Sequence, residues 1–318
     1  MRRFRHAAAV FAVAAAAVLF TMSPAQAAGL RSTDLIAFVR AGNLFVATGT
    51  AAPVQITTGG GYEWPRWAAA NNPGGIAYIH NGDLFVAHYS AGSGLTGTVQ
   101  ITSGADAGAA SWAPDGHRLA FVDNNIGLLE IADISTTPVT ITTLPTGGQT
   151  FGPRPGLSAL FQSVAVAWSP NGTWIAFRGG ECEGQADDCL SIRNLTTGDE
   201  ATLKAFGGSG GGEDDGFASV PAWSADSTKV YWSQQANDPF VDPNKFSALQ
   251  IWHSTVGDRV GPATQWGRDG DSEIAPFPGG GARYLLTATV GNKAWVAESE
   301  NSVRTLLYQG YQPTWTQG

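Results

Sequence analysis

The chain has 318 residues, 43% hydrophobic and 14% charged, with 18 basic against 26 acidic side chains and a formal net charge of −8. That acidic balance argues against nucleic acid and anionic membrane as partners, because both are bound through basic patches that displace counterions. The length suits one large domain or two small ones.

The first element is an export signal. Arg2, Arg3 and Arg5 precede an apolar stretch from Ala7 to Phe20, and Ala25-Gln26-Ala27 supplies a small-x-small cleavage site. This pattern predicts a signal peptide over residues 1–27, cleaved after Ala27, and a secreted protein. The apolar stretch is short for a membrane span and no second one follows, so membrane insertion is not expected. No Cys sits near the cleavage site to carry a lipid. The Arg2-Arg3 pair also fits twin-arginine export, although such pairs are ordinary in general secretion signals. Removing the leader takes away three of the 18 basic residues and no acidic one, leaving 291 residues with a charge of about −11. Both methionines, Met1 and Met22, go with it.

Short strands follow. Leu35-Ile36-Ala37-Phe38-Val39, Leu44-Phe45-Val46-Ala47 and Val54-Gln55-Ile56-Thr57 alternate β-branched and aromatic residues between Gly, Asn and Pro punctuation, which is a strand and hairpin signal. A repeated phrase then sets the architecture. Trp112-Ala113-Pro114-Asp115-Gly116 followed by Leu119-Ala120-Phe121 recurs as Trp168-Ser169-Pro170-Asn171-Gly172 with Ile175-Ala176-Phe177. A looser copy begins Trp223-Ser224-Ala225-Asp226-Ser227. Anchors fall at Trp67, Trp112, Trp168, Trp223, Phe277 and Trp315, with gaps of 45, 56, 55, 54 and 38 residues. The last anchor lacks later strands, and the N-terminal strands lack an anchor, so the N-terminus is expected to complete the C-terminal sheet. Self-similarity at this period predicts an all-β, six-bladed β-propeller over residues 28–318, with N-terminal strands closing the C-terminal blade. Asp-Gly or Asn-Gly after the proline reads as a type I′ hairpin turn, and each anchor Trp as core.

The W-[SA]-P-[DN]-G…[IL]-A-F phrase resembles the repeats of the TolB-like propeller family, which are similar in turn to those of prolyl oligopeptidase and dipeptidyl peptidase IV propellers. The resemblance runs from Leu35 to Trp315. It implies a six-bladed propeller and a protein-binding role. The chain has no room for the separate α/β domain of TolB or the hydrolase domain of the peptidases, so the Tol machinery and peptidase chemistry are not implied.

Cys182 and Cys189 are the two cysteines. In an exported chain, a close pair reads as a disulfide; a zinc site would need two further soft ligands, and none lies nearby.

Propeller topology predicts that five long segments share one face: 145–162, 179–188, 207–219, 233–248 and 267–272. Insertions gathered on one face mark a binding surface. The candidate ligand-binding residues there are Phe151, Arg154, Glu213, Asp214, Asp215, Asp238, Phe240, Asp242 and Arg268, with Phe161 and Lys245 nearby. Asp269, Asp271 and Glu273 alternate in the way calcium ligands do, although the distal glutamate of a calcium loop is missing. Solvated acidic turns are the favoured explanation, with calcium held between loops of neighbouring blades the alternative. Gly207-Gly208-Ser209-Gly210-Gly211 matches G-x-S-x-G without the strand-to-helix turn that motif needs. His80, His88, His117 and His253 show no metal-ligand spacing. Three functions stay open: a non-enzymatic binding module for a protein or cell-envelope polymer, which the loops favour; a polysaccharide lyase or hydrolase using loop carboxylates; and a calcium-stabilised envelope protein. No other cofactor is expected, and the protein is expected to be a monomer.

Overall fold

The structure, a computed structural model, describes residues 30–68, 71–145, 165–179, 188–206, 216–236, 248–257 and 260–316. Their backbone forms six four-stranded antiparallel sheets and, among the described residues, no helix. The closing sheet pairs β24 (Tyr311–Thr316) with β1 (Leu35–Arg40), then β2 (Asn43–Thr48) and β3 (Val54–Gln55). The next holds β4 (Tyr62–Trp67), β5 (Gly75–His80), β6 (Asp83–Ser90) and β7 (Gly94–Gln100). After it come β8 (Ser111–Trp112), β9 (Arg118–Asp123), β10 (Leu128–Asp133) and β11 (Thr140–Thr143). The fourth sheet holds β12 (Val166–Trp168), β13 (Trp174–Arg178), β14 (Asp188–Asn194) and β15 (Glu200–Phe206). The fifth holds β16 (Gly216–Trp223), β17 (Lys229–Ala236), β18 (Gln250–Thr255) and β19 (Thr264–Gln265). The last holds β20 (Asp271–Pro276), β21 (Arg283–Val290), β22 (Lys293–Glu300) and β23 (Val303–Gln309). This is a six-bladed propeller, and the circular closure falls where the repeat count put it: Ile36 stands opposite Trp315 and Val39 opposite Tyr311.

The core lies between neighbouring sheets. Trp223 and Trp232 of the fifth sheet pack with Ala176, Leu190, Ile192 and Phe206 of the fourth. Trp168 packs likewise with Val122, Leu129 and Ala120 of the third. Each such side chain removed from water contributes about 1.5–3 kcal/mol. Few backbone hydrogen bonds cross these gaps, such as Val166 N–H to Ala109 O at 3.1 Å, so this packing is the main hold on the ring. At the closing seam it is joined by a buried ion pair: Arg283 Nη2 donates to Asp34 Oδ2 at 3.0 Å and to Glu298 Oε1 at 3.3 Å. The same guanidinium lies over the Phe277 ring at 4.3 Å and the Trp315 ring at 5.1 Å.

Two local expectations need correction. The turn after the anchor is not type I′. Gly116 N–H donates to Ala113 O at 3.0 Å and Gly172 N–H to Ser169 O at 2.9 Å. Of each loop only the glycine has positive φ, 73° and 78°. Proline favours the second position of a type I turn, and the glycine after it closes the hairpin as a bulge. Asp115 Oδ1 also accepts from His117 N and Arg118 N at 2.8 and 3.1 Å, which fixes that residue's backbone. True I′ turns lie at the other end of the strands, as at Asn81 (52°) and Gly82 (84°) between β5 and β6.

The fifth anchor is also displaced by one residue. Phe277 N–H donates to Arg283 O at 3.0 Å, the bond made elsewhere by the residue after the tryptophan, as in Ala113 to Arg118 and Ser169 to Trp174, both 2.8 Å. Pro276 therefore occupies the anchor position. The Phe277 ring still reaches Trp315, with centroids 4.8 Å apart, so an aromatic fills the same gap from the next position.

Strand alternation sorts the connections onto two faces. Both flanks of all five long segments open on one of them. On that face Tyr62 N–H donates to Gly42 O at 2.9 Å and Ala107 N–H to Gly82 O at 2.6 Å. On the other, Asn72 Nδ2 donates to Gly116 O at 3.1 Å and Asn171 N–H to Ser227 Oγ at 3.0 Å, tying short turns of neighbouring blades together.

Candidate functional site

The inner strands β4, β16, β20 and β24 run from the long-segment face toward the short-turn face, and each carries a kink halfway. Their ladders slip between Glu63 and Arg66, Ser219 and Ala222, and Ser272 and Ala275, while β24 slips opposite Ala37 and Val39. At the slips Trp64, Val220, Glu273 and Gln312 take φ of 51°, 53°, 52° and 55°. A bulky residue in this region is strained and persists only where its surroundings hold it. Here the hold runs from blade to blade. Trp64 N–H donates to Gln312 Oε1 at 2.8 Å, Gln312 N–H donates to Glu273 Oε2 at 2.7 Å, and Glu273 N–H donates to Ser233 Oγ at 2.9 Å. Thr287 Oγ1 also donates to Glu273 Oε2 at 2.5 Å. These bulges re-aim inner side chains into the axis. Their signal was present in the sequence as Trp64-Pro65-Arg66-Trp67, Val220-Pro221-Ala222-Trp223 and Gln312-Pro313-Thr314-Trp315, a residue then proline ahead of the anchor.

Nearer the long-segment face the axis is acidic. Glu63, on β4 just before the bulge, is exposed, and partial desolvation, then the charge of Asp106, raises its pKa. Glu273 is buried, and desolvation raises its pKa against the lowering effect of its hydrogen bonds and of Arg66. The Tyr62 ring stacks on His80 with centroids 4.0 Å apart.

Toward the short-turn face the axis is aromatic. A cavity of about 400 Å³ is lined by Trp67, Trp112, Trp168, Trp223, Trp315 and Phe277, with Arg66 among its wall residues. Three indoles are tied to the preceding blade: Trp112 Nε1 donates to Arg66 O at 3.0 Å, Trp223 Nε1 to Ala167 O at 3.0 Å and Trp315 Nε1 to Pro276 O at 3.1 Å. Among the described residues Trp67 Nε1 is buried without a hydrogen-bond partner. The anchors are core residues, as expected, and their remaining exposed edges form this cavity.

The sequence-derived candidates are placed as follows. Phe151, Arg154, Glu213, Asp214, Asp215, Asp238, Phe240 and Asp242 lie outside the described residues, as do Phe161, Lys245 and Cys182. Cys189 is buried on β14. Arg268 lies on the described part of the long-segment face, where its N–H donates to Asp271 Oδ2 at 2.7 Å. Asp269, Asp271 and Glu273 do not converge. Asp269 accepts from Gln250 Nε2 at 2.7 Å, Asp271 is ion-paired with Arg304, and Glu273 turns into the axial relay at its bulge. Among the described residues no three His, Cys, Asp or Glu side chains are grouped to hold a metal ion. The bulge after Ser272 turns Glu273 away from Asp269 and Asp271. His253 packs beside Tyr231, where burial and then Lys229 lower its pKa; His88 Nε2 lies 2.9 Å from Pro73 O.

This fold and axis define a six-bladed β-propeller. No family model matches the chain, and no curated protein matches it. Solved structures share its fold. TolB from Acinetobacter baumannii superposes with a TM-score of 0.64 at 17% identity, covering 91% of this chain and 68% of that one. A chain from a nidogen/laminin complex gives 0.53 at 10% identity, over 89% and 98%. A gluconolactonase from Xanthomonas campestris gives 0.50 at 12% identity, over 79% and 76%.

Proposed function

We infer that the protein is a secreted, non-enzymatic binding module that engages a protein or cell-envelope polymer through the long segments of one face. The observation that carries this is topological: both flanks of all five long segments open on a single face around an acidic channel mouth. One fold neighbour comes from a protein–protein complex, nidogen with laminin, which supports a protein partner. Shortening residues 207–219 is expected to abolish recovery of partners from culture supernatant that the wild type retains. Equal recovery by both proteins overturns the face assignment.

Export and the Cys182–Cys189 disulfide belong to the same reading. The intact mass of the exported protein should correspond to a chain starting at Ala28 and lie about 2 Da below the dithiol form, rising on reduction. A mass that retains residues 1–27 or does not change on reduction removes that element.

One observation favours a polysaccharide lyase or hydrolase instead: the raised pKa of Glu63 beside Asp106 suits a general acid. Oligosaccharide release from cell-wall glycan, abolished in E63Q, would put that reading in place of the binding one.

A further inference from the structure

The position before the anchor is Ser111, Ala167, Ala222 and Thr314 in four blades, and Arg66 in a fifth. Small residues at that level leave room on the axis, and one guanidinium enters it. Arg66 lies deep in the ring yet keeps part of its surface accessible, so it faces the lumen. Desolvation lowers its pKa to about 10, with Glu273 opposing, so it stays charged at neutral pH. A guanidinium has five N–H donors. Among the described residues Arg66 has one hydrogen bond, from Nη1 to Pro65 O at 2.9 Å, and no ion pair. It also lies 5.3 Å from the Trp64 ring. A desolvated cation with free donors is a strong anion site, because a planar carboxylate matches its fork.

The room beside Arg66 sets the rest of the ligand. The cavity is walled by tryptophan edges, and its volume suits one planar or aliphatic body. The opening is on the short-turn face, opposite the long segments.

We propose that the axial cavity on the short-turn face binds an apolar carboxylic acid, its carboxylate on the Arg66 guanidinium and its body against the tryptophan ring. A free acid and the C-terminal residue of a peptide share this chemistry. The site is independent of the long-segment reading.

Calorimetric titration of the exported protein with 3-phenylpropionate and with its primary amide tests the charge. The acid should bind about tenfold or more tightly than the amide, the usual margin of a charge-assisted pair. Arg66→Met should bind both alike, and Arg66→Lys should fall between, which keeps the test valid if the methionine variant does not fold. A pentapeptide ending in Phe, as acid and as amide, separates the sources: acid-dependent binding tighter than that of phenylpropionate identifies a chain end, and equal or weaker binding a free acid. Equal binding of acid and amide by the wild type, no binding of either, or unchanged discrimination in both variants overturns the proposal. The variant shortened at 207–219 should retain acid binding, so failure of one reading leaves the other testable.

Discussion

Arg283→Met is expected to cost about 3–5 kcal/mol, because removing one partner of a buried ion pair leaves uncompensated charge. Arg283 holds two carboxylates at once: Asp34, 249 residues away in sequence, and Glu298 on the facing strand. Both acids are nearly inaccessible, and among the described residues Glu298 Oε2 has no partner of its own. Burial already raises the Glu298 pKa, with Arg283 the main opposing influence. The loss should therefore be larger at pH 8 than at pH 5, where protonation relieves Glu298. The aromatic contacts with Phe277 and Trp315 disappear with the charge, but methionine keeps most of the apolar contact there. Chemical denaturation at the two pH values measures this. Adding D34N and E298Q to the variant should recover much of the loss. A change under about 1 kcal/mol would remove the ion pair from the account of the seam.

Glu273 gives the second large effect, and two substitutions separate its charge from its hydrogen bonds. Its folded pKa is raised above 4.5, mainly by desolvation. Its contribution to stability is therefore fully present below 4.5 and is lost as pH rises through the folded pKa. Each unit of that displacement is worth about 1.4 kcal/mol. E273Q keeps an acceptor for Gln312 N–H and Thr287 Oγ1 without the charge, so it should be more stable than wild type at pH 8 and close to it at pH 4.5. E273L removes the acceptor of Thr287 Oγ1 and leaves Gln312 N–H only its longer bond to Thr287 Oγ1 at 3.1 Å, and should lose about 2–4 kcal/mol across that range. Thermal melts of the three proteins from pH 4.5 to 8 check the signs. A wild type whose stability rises with pH while that of E273Q stays flat contradicts the assignment.

The sequence carried the ring almost completely. The spacing of Trp67, Trp112, Trp168, Trp223 and Trp315, with orphan strands at the start, determined blade number and closure, because each blade repeats the same packing problem. Turn chemistry was less legible. Asp-Gly is shared by I′ turns and by type I turns with a glycine bulge, and only the preceding proline separates them. Phe277 was misplaced by one residue because an aromatic fills its gap equally well from either of two adjacent positions. The three carboxylates of the calcium alternation find separate partners: Asp269 in the turn before β20 accepts from Gln250, Asp271 pairs with Arg304, and Glu273 enters the axial relay at its bulge. Arg66 was visible as the large residue in a column otherwise small, but a column of inner-strand residues gains meaning only once the strands surround a common axis.

Pairing Ile36 with Trp315 has a kinetic side. β1 has no partner on its axial edge until β24 is made. Loop-closure entropy grows only as the logarithm of length, so bringing such distant segments together takes little from final stability. It delays completion instead, since long-range pairings slow folding. Until β24 arrives, the nascent chain is an arc with an open edge. The β24–β1 ladder then locks the ring.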